Sequence, residues 1–361
     1  MGTVGISVFF GMNQSLEQNS CYLKQAHEIG YTKLFTSLHI PESNAAALVR
    51  EARILLQYAQ KLGFVVTADI SPHTWQQFGI SAAQLAEIGI DTLRIDYGIG
   101  LGQICELARS TGLGIEVNAS TMTENNLKQM FYTGLDRSHL SACHNYYPRP
   151  ETGLSYEIFL QRSNMFTAEN ITVAAFIPGL TFPRGPVYAG LPTLESHRNV
   201  SSVNAARQLW ASGVVDTILW GDPLVPEAEL LAVAQLPRHN NEPLSLRMKF
   251  HGENRTEMSW IWNGLHTNRS DAAAMVVRSQ ESRSSCHSQI PPMEAQIRRR
   301  GDVTIDNSNY GRYMGELQIV LQDLPADDRV NVIGRIVSED LCLLECVHPG
   351  RSFKLLEVAV S

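Results

Sequence analysis

Eight short β-branched or apolar runs punctuate the first 221 residues, each followed by an amphipathic stretch. They are Gly5–Gly11, Lys33–Ile40, Val65–Ser71, Thr92–Gly98, Gly114–Ser120, His139–Asn145, Ile171–Gly179 and Thr217–Gly221. The intervening segment Ser43–Leu62 carries its apolar residues at three- and four-residue spacing, the period of a helix with one buried face. Gly30, Gly63, Gly89 and Gly213 each stand just before or near the next run, where a helix commonly ends on a left-handed residue. Eight strand–helix units predict a closed parallel (β/α)8 barrel of the TIM type. An open doubly wound sheet is the competing arrangement, but no G-x-G-x-x-G follows the first run.

The pattern changes after Trp220-Gly221-Asp222-Pro223. A last helix over Glu227–Gln235 ends at Pro237, and a polar, proline-flanked segment follows to Pro243. From Leu244 onward, alternating runs such as Gly301–Ile305 and Val330–Ile336 are separated by turn residues, with little helix. The expected domains are therefore 1–237, the barrel, and 244–361, a small all-β barrel. The chain is 44% apolar and 18% charged with a formal charge of −7, so it can bury two cores. That charge speaks against nucleic acid or an anionic membrane as partner. The first residues, Met1-Gly2-Thr3-Val4, offer neither a basic region nor a cleavable apolar stretch, and no run is long enough to cross a bilayer. The expectation is a cytoplasmic protein with its six scattered cysteines reduced.

In such barrels chemistry gathers at the C-terminal strand ends. With a period of two, Thr67 and Asp69, Arg94 and Asp96, and Glu116 and Asn118 share a side of their strands, so several carboxylates converge on one mouth. Glu42 follows the second run and Glu151 the sixth. Each carboxylate also has a structural reading, as a helix cap or a partner of Arg94. The segment Ala142–Ser155 groups His144, Asn145, two tyrosines, Arg149 and Glu151 around two prolines, a stiff loop able to present an aromatic and hydrogen-bonding wall to a sugar. The long loop Ile177–Arg198 offers Arg184, His197 and Arg198 for an anion. No H-x-H, H-E-x-x-H, P-loop or G-x-S-x-G occurs, so neither metal nor cofactor is expected.

Several long strings carry a family resemblance. ADISPHTW (Ala68–Trp75), LRIDYG (Leu93–Gly98), ACHNYYPRPETGLS (Ala142–Ser155), GLPTLESHR (Gly190–Arg198) and GDVTIDNSNYGRYMGELQI (Gly301–Ile319) are similar to a bacterial family of 6-phospho-N-acetylmuramidases. Its members are often labelled "outer surface protein", a label at odds with this N-terminus. The resemblance implies a TIM barrel followed by a cyclophilin-like β-barrel. It also implies an intracellular glycosidase that cleaves N-acetylmuramic acid 6-phosphate β-1,4-linked to N-acetylglucosamine during peptidoglycan recycling. The substrate would be a small phosphorylated amino-sugar disaccharide, and a homodimer is left open.

Glycosidases need one carboxylic acid to protonate the leaving oxygen and a second group to stabilise or attack the oxocarbenium-like centre. Asp96 and Glu151 are the leading pair, with Asp69 and Glu42 in reserve. Asn118, His144, Asn145, Tyr147 and Arg149 are expected to bind sugar, and Arg184 an anion. Residues 238–361 hold 13 Arg against 2 Lys, and arginine's planar fork suits phosphate and carboxylate. Arg278 and Arg283 are the candidates there, against the reading that they decorate a β surface. A barrel aldolase, epimerase or isomerase and a non-enzymatic binding protein are the competing functions. No lysine stands at a C-terminal strand end to form a Schiff base.

Overall fold

A computed structural model describes residues 2–12, 14–38, 45–70, 82–95, 99–238, 242–251 and 258–358. Glu42 and Asp96 lie outside the described residues. The chain divides into two compact units, Met1–His239 and Asn240–Ser361.

The first unit is a closed barrel of eight parallel strands. These are β1 (Thr3–Phe9), β2 (Lys33–Ser37), β3 (Val65–Ile70), β4 (Thr92–Ile95), β5 (Gly114–Asn118), β6 (Leu140–Cys143), β7 (Thr172–Ile177) and β8 (Thr217–Trp220). Each strand pairs with its sequence neighbour, and β8 returns to β1 through Thr3 and Thr217. Around it run α1 (Leu16–Ile29), α2 (Ala45–Lys61), α3 (Leu101–Thr111), α4 (Glu124–Tyr132), α5 (Tyr156–Thr167), α6 (Ser202–Ser212) and α7 (Glu227–Ala234), with a 3-10 helix at Ala82–Ile88.

Local chemistry explains the helix limits. Ser15 accepts a hydrogen bond from the Gln18 amide while the Gln18 side chain returns to the Ser15 amide, a reciprocal cap. Thr123, Ser155 and Ser201 cap α4, α5 and α6 in the simpler way. At the other ends Gly30 (φ 103°) and Gly213 (φ 74°) take the left-handed conformation that glycine adopts without steric penalty.

Alternation along the strands separates two apolar regions. Val4, Ile6 and Val8 of β1 face outward against buried helix residues such as Leu23, Ala26 and Leu55. Phe9, Phe35, Phe176 and Leu219 face inward with Cys143 and Ala174 and fill one side of the barrel. Phe35 and Phe176 meet edge to face with centroids 5.1 Å apart. The opposite interior side, on β3 to β5, is polar: Asp69, Arg94, Glu116 and Asn118 are all buried there. A barrel interior that is half aromatic and half ionic is a poor core but a good floor for a polar ligand with apolar faces.

The second unit is a seven-stranded, nearly closed β-barrel. Its strands are β9 (Leu244–Phe250), β10 (His266–Thr267), β11 (Val276–Arg278), β12 (Asp302–Asp306), β13 (Leu317–Val320), β14 (Val330–Ile336) and β15 (Ser352–Glu357). They run in the order β10-β15-β9-β14-β12-β13-β11, with Val303, Ile305, Leu317, Ile319 and Leu355 buried.

Candidate active site

Arg94 organises the C-terminal mouth of the parallel barrel. The β3–β4–β5 register sets Asp69 beside Arg94 and Arg94 beside Glu116. Arg94 Nη1 lies 3.4 Å from Asp69 Oδ1, Nε lies 3.9 Å from Glu116 Oε1, and Nη2 donates to Asn145 Oδ1 at 2.5 Å. The guanidinium is thus aimed by groups from three other strands or strand ends.

The two carboxylates differ in what they face. Asp69 sits near the C-terminal end of β3 and retains 8% of its surface. Glu116 lies deeper and lines a polar hollow of about 60 Å³ with Lys33, Thr92 and Thr217, the first residues of β2, β4 and β8. It therefore opens toward the N-terminal end. Burial pushes the Glu116 carboxyl up to about 7, against the opposing pull of Arg94 and the nearby Cys143 thiol. It belongs beneath the mouth as a support for Arg94.

His144 is where the sequence expectation fails. Ala142 and His144 take the outward side of β6 and its extension, whereas Cys143 and Asn145 turn inward. His144 is fully buried, its Nε2 2.9 Å from Ser163 Oγ on α5 and its Nδ1 3.2 Å from Ser120 Oγ. Ser120 also accepts the Asn145 amide at 3.0 Å. Burial lowers the imidazole to about 3, so it is neutral at physiological pH. Its position makes it a brace for Asn145 instead of a sugar contact, and the period of two already contained that signal. Asn118 is 3% exposed and accepts the Ser120 amide at 2.9 Å, closing the same turn.

The tyrosine that reaches the interior is Tyr146. Its ring meets Phe176 at 5.1 Å and Phe35 at 6.2 Å, both edge to face. The sequence expectation named Tyr147 for its place at the mouth, but β6 ends at Cys143 and the chain turns, and Tyr146 is the ring that enters. Tyr147 is half-buried; its amide donates to the Pro192 carbonyl.

Two carboxylates that sequence reasoning did not single out hold the loops. Glu195 accepts the amides of Glu151 (2.8 Å) and Gly153 (2.7 Å) and both sides of the Arg198 fork. Arg198 also donates to the carbonyls of Ala189, Gly190, Tyr147 and Arg149. A Cβ on Gly153 would stand 2.7 Å from the Glu195 amide nitrogen, so only glycine lets the two loops approach. The Arg198 fork holds Glu195 well below the usual carboxylate range, at about 2. Fully buried Asp222 does the same for the other loop, accepting the amides of Gly179, Arg184 and Leu191 at 2.7–3.0 Å.

Arg198 and His197, expected to face an anion, are therefore consumed internally. His197 is buried with Nε2 2.7 Å from Gln208 Oε1. Arg149 and Glu151 are exposed on the loop, Glu151 with φ 71°. Arg184 lies over the Phe9 ring at 4.1 Å and donates from Nη1 to Tyr146 Oη at 3.2 Å. In the second unit Arg278 grips buried Glu316 at 2.6 and 3.1 Å, and Arg283 lies 3.7 Å from the same carboxylate.

Comparison with known proteins identifies this architecture. The N-terminal domain of the 6-phospho-N-acetylmuramidases matches residues 4–235, and their C-terminal domain matches residues 244–356. The chain belongs to the 6-phospho-N-acetylmuramidase family. That family name denotes a glycosidase, and the match spans both units. Two solved structures share the whole architecture with this family member. One, from B. cereus, is described as uncharacterized; it is 31% identical over 99% of both chains, with a TM-score of 0.77. The other, from Enterococcus faecalis, is a conserved protein of unknown function; it is 35% identical over 98% of this chain and 96% of that one, with a TM-score of 0.66. No curated protein matches the chain. Among the described residues no helix is long and apolar enough to cross a membrane.

Proposed function

We propose that the protein hydrolyses the β-1,4 bond between 6-phospho-N-acetylmuramic acid and N-acetylglucosamine, as a step of peptidoglycan recycling. The observation that carries this reading is the family match over both units. The six free cysteines support a reducing, cytoplasmic setting.

Asp69 and Asp96 are the proposed catalytic carboxylates. Asp69 is supported by its place at the mouth and its pairing with Arg94. That pairing suits the group that must present negative charge to the oxocarbenium-like centre. Asp96, two residues beyond Arg94 in the sequence, is assigned proton donation to the leaving oxygen. Glu151 moves to reserve beside Glu42, because its exposed carboxylate has no partner among the described residues to aim it. Asn145, held by Arg94 and the Ser120–His144–Ser163 chain, and Asn118 are assigned the sugar's hydroxyl and acetamido groups. The aromatic side of the floor would meet the apolar face of a sugar ring.

The test is release of N-acetylglucosamine from the synthetic phosphorylated disaccharide. Asp69→Asn should lower kcat at least about a hundredfold with KM within about threefold. Near-wild-type turnover by Asp69→Asn would remove Asp69 from the mechanism, and absence of release by the wild-type protein would refute the function.

A further inference from the structure

We infer that Arg184 is the anion anchor of the sugar site, reading one phosphate or carboxylate carried by the sugar bound in the groove beside it. The inference rests on the proposed glycosidase reading and adds to it the group that selects the charged sugar.

Arg94, Arg184 and Arg198 stand on the strand ends and loops of this mouth with very different partners. Arg94 is faced by Asp69 and Glu116, and Arg198 by Glu195. The Arg184 guanidinium has no carboxylate within 4 Å among the described residues; the Asp222 carboxylate takes only its backbone amide. Among the described residues only its Nη1 has an acceptor, and its Nε is buried without one. The sealed Nε cannot be reached from the groove, but Nη2 is neither buried nor hydrogen-bonded among the described residues, so a ligand can supply its acceptor. The side chain is also fixed in advance. Its Cζ lies 4.1 Å from the Phe9 centroid and 5.2 Å from that of Tyr146, and its own amide is held by Asp222. Stacking on two rings leaves the edge of the guanidinium to make planar, paired hydrogen bonds.

The surroundings fit a sugar bearing that anion. A groove of about 490 Å³ runs beside Arg184, bordered by Met12, Gln14, Phe182 and Tyr188. Such a volume falls within the roughly 300–1,000 Å³ of small-molecule sites. Phe182 and Tyr188, 61% and 65% exposed, present aromatic surface to the groove. The floor connects this groove to the ionic side: Arg184 lies over Phe9, Phe9 meets Phe35 at 6.5 Å, and Arg94 stands 6.0 Å from Phe35. An anion on Arg184 therefore sits across the aromatic floor from Asp69, so charge recognition and bond cleavage occupy different sides of one mouth.

Phosphate and carboxylate share this chemistry, and the proposed substrate carries both. Chromogenic β-glycosides of N-acetylmuramic acid 6-phosphate, N-acetylglucosamine 6-phosphate and N-acetylmuramic acid separate them. Arg184→Ala should raise KM on the first about 10–100-fold, with kcat nearly unchanged. The penalty should persist on the glycoside that bears only the anionic group being read and vanish on the one that bears only the other. Arg184→Lys, which keeps the charge and the Asp222 contact, should recover part of the loss and guards against misfolding. An unchanged KM in Arg184→Ala, or equal penalties on the two glycosides that bear a single anionic group, would overturn the anchor. If the wild-type protein cleaves none of them, the glycosidase reading fails, and the anchor is judged by calorimetric titration with inorganic phosphate and D-lactate. Binding weakened at least tenfold in Arg184→Ala then supports it; equal binding, or none by the wild type, overturns it.

Discussion

Replacing Glu116 by glutamine should stabilise the parallel barrel at alkaline pH and leave it almost unchanged at acid pH. Glu116 is 6% exposed, and burial raises its carboxyl from 4.5 to about 7. A raised acid is easier to keep protonated in the folded chain than in the unfolded one. Its contribution is therefore fully present below about pH 4.5 and is lost as pH rises through about 7. At 1.36 kcal/mol per pH unit, the interval between those two values corresponds to roughly 3 kcal/mol, as an order of magnitude. Glutamine matches the shape of the neutral acid and cannot ionise. The stability difference between variant and wild type should thus grow from near zero at pH 4.5 to roughly 3 kcal/mol at pH 8.5. His144 and His197, lowered by burial to about 3 and about 4, work in the opposite sense, costing stability as pH falls below about 6.5. They are present in both proteins and cancel in the difference. Urea unfolding of the full chain between pH 4.5 and 8.5, followed by tryptophan fluorescence, measures it. A difference that stays flat across that range would refute the claim that Glu116 is forced to carry an unfavourable charge.

Two further outcomes follow from the loop and second-unit contacts. Asp222→Ala leaves the amides of Gly179, Arg184 and Leu191 without their acceptor, so trypsin should cut at Arg184 at least about tenfold faster than in the wild type; an unchanged cleavage rate would show that the loop does not hang on this carboxylate. Arg278→Ala should destabilise the second unit by about 3 kcal/mol, because Glu316, 3% exposed, loses its main cation; a second-unit melting temperature within about 1 °C of wild type would refute it.

The features that were legible in the sequence are those set by neighbours along the chain. Strand–helix alternation, the serine and threonine caps and the four left-handed glycines each depend on a few adjacent residues, and all appear where local chemistry requires them. The convergence of Asp69, Arg94 and Glu116 was also visible, because a period of two and parallel pairing suffice to bring them together. His144 was legible but misread, since its parity with Ala142 already assigns it to the outer side.

What the sequence by itself determined is therefore the architecture and the set of groups at the mouth. Tertiary structure alone decided which of those groups remain available. Tyr146 enters the floor because β6 stops at Cys143, and Glu151 stands exposed because Glu195 holds its amide at the loop tip. Arg184 and Arg198 are the same residue type in the same loop, yet Glu195 neutralises one and, among the described residues, no carboxylate pairs with the guanidinium of the other. That distinction depends on which residues from distant loops approach within hydrogen-bonding distance, and no local pattern encodes those distances.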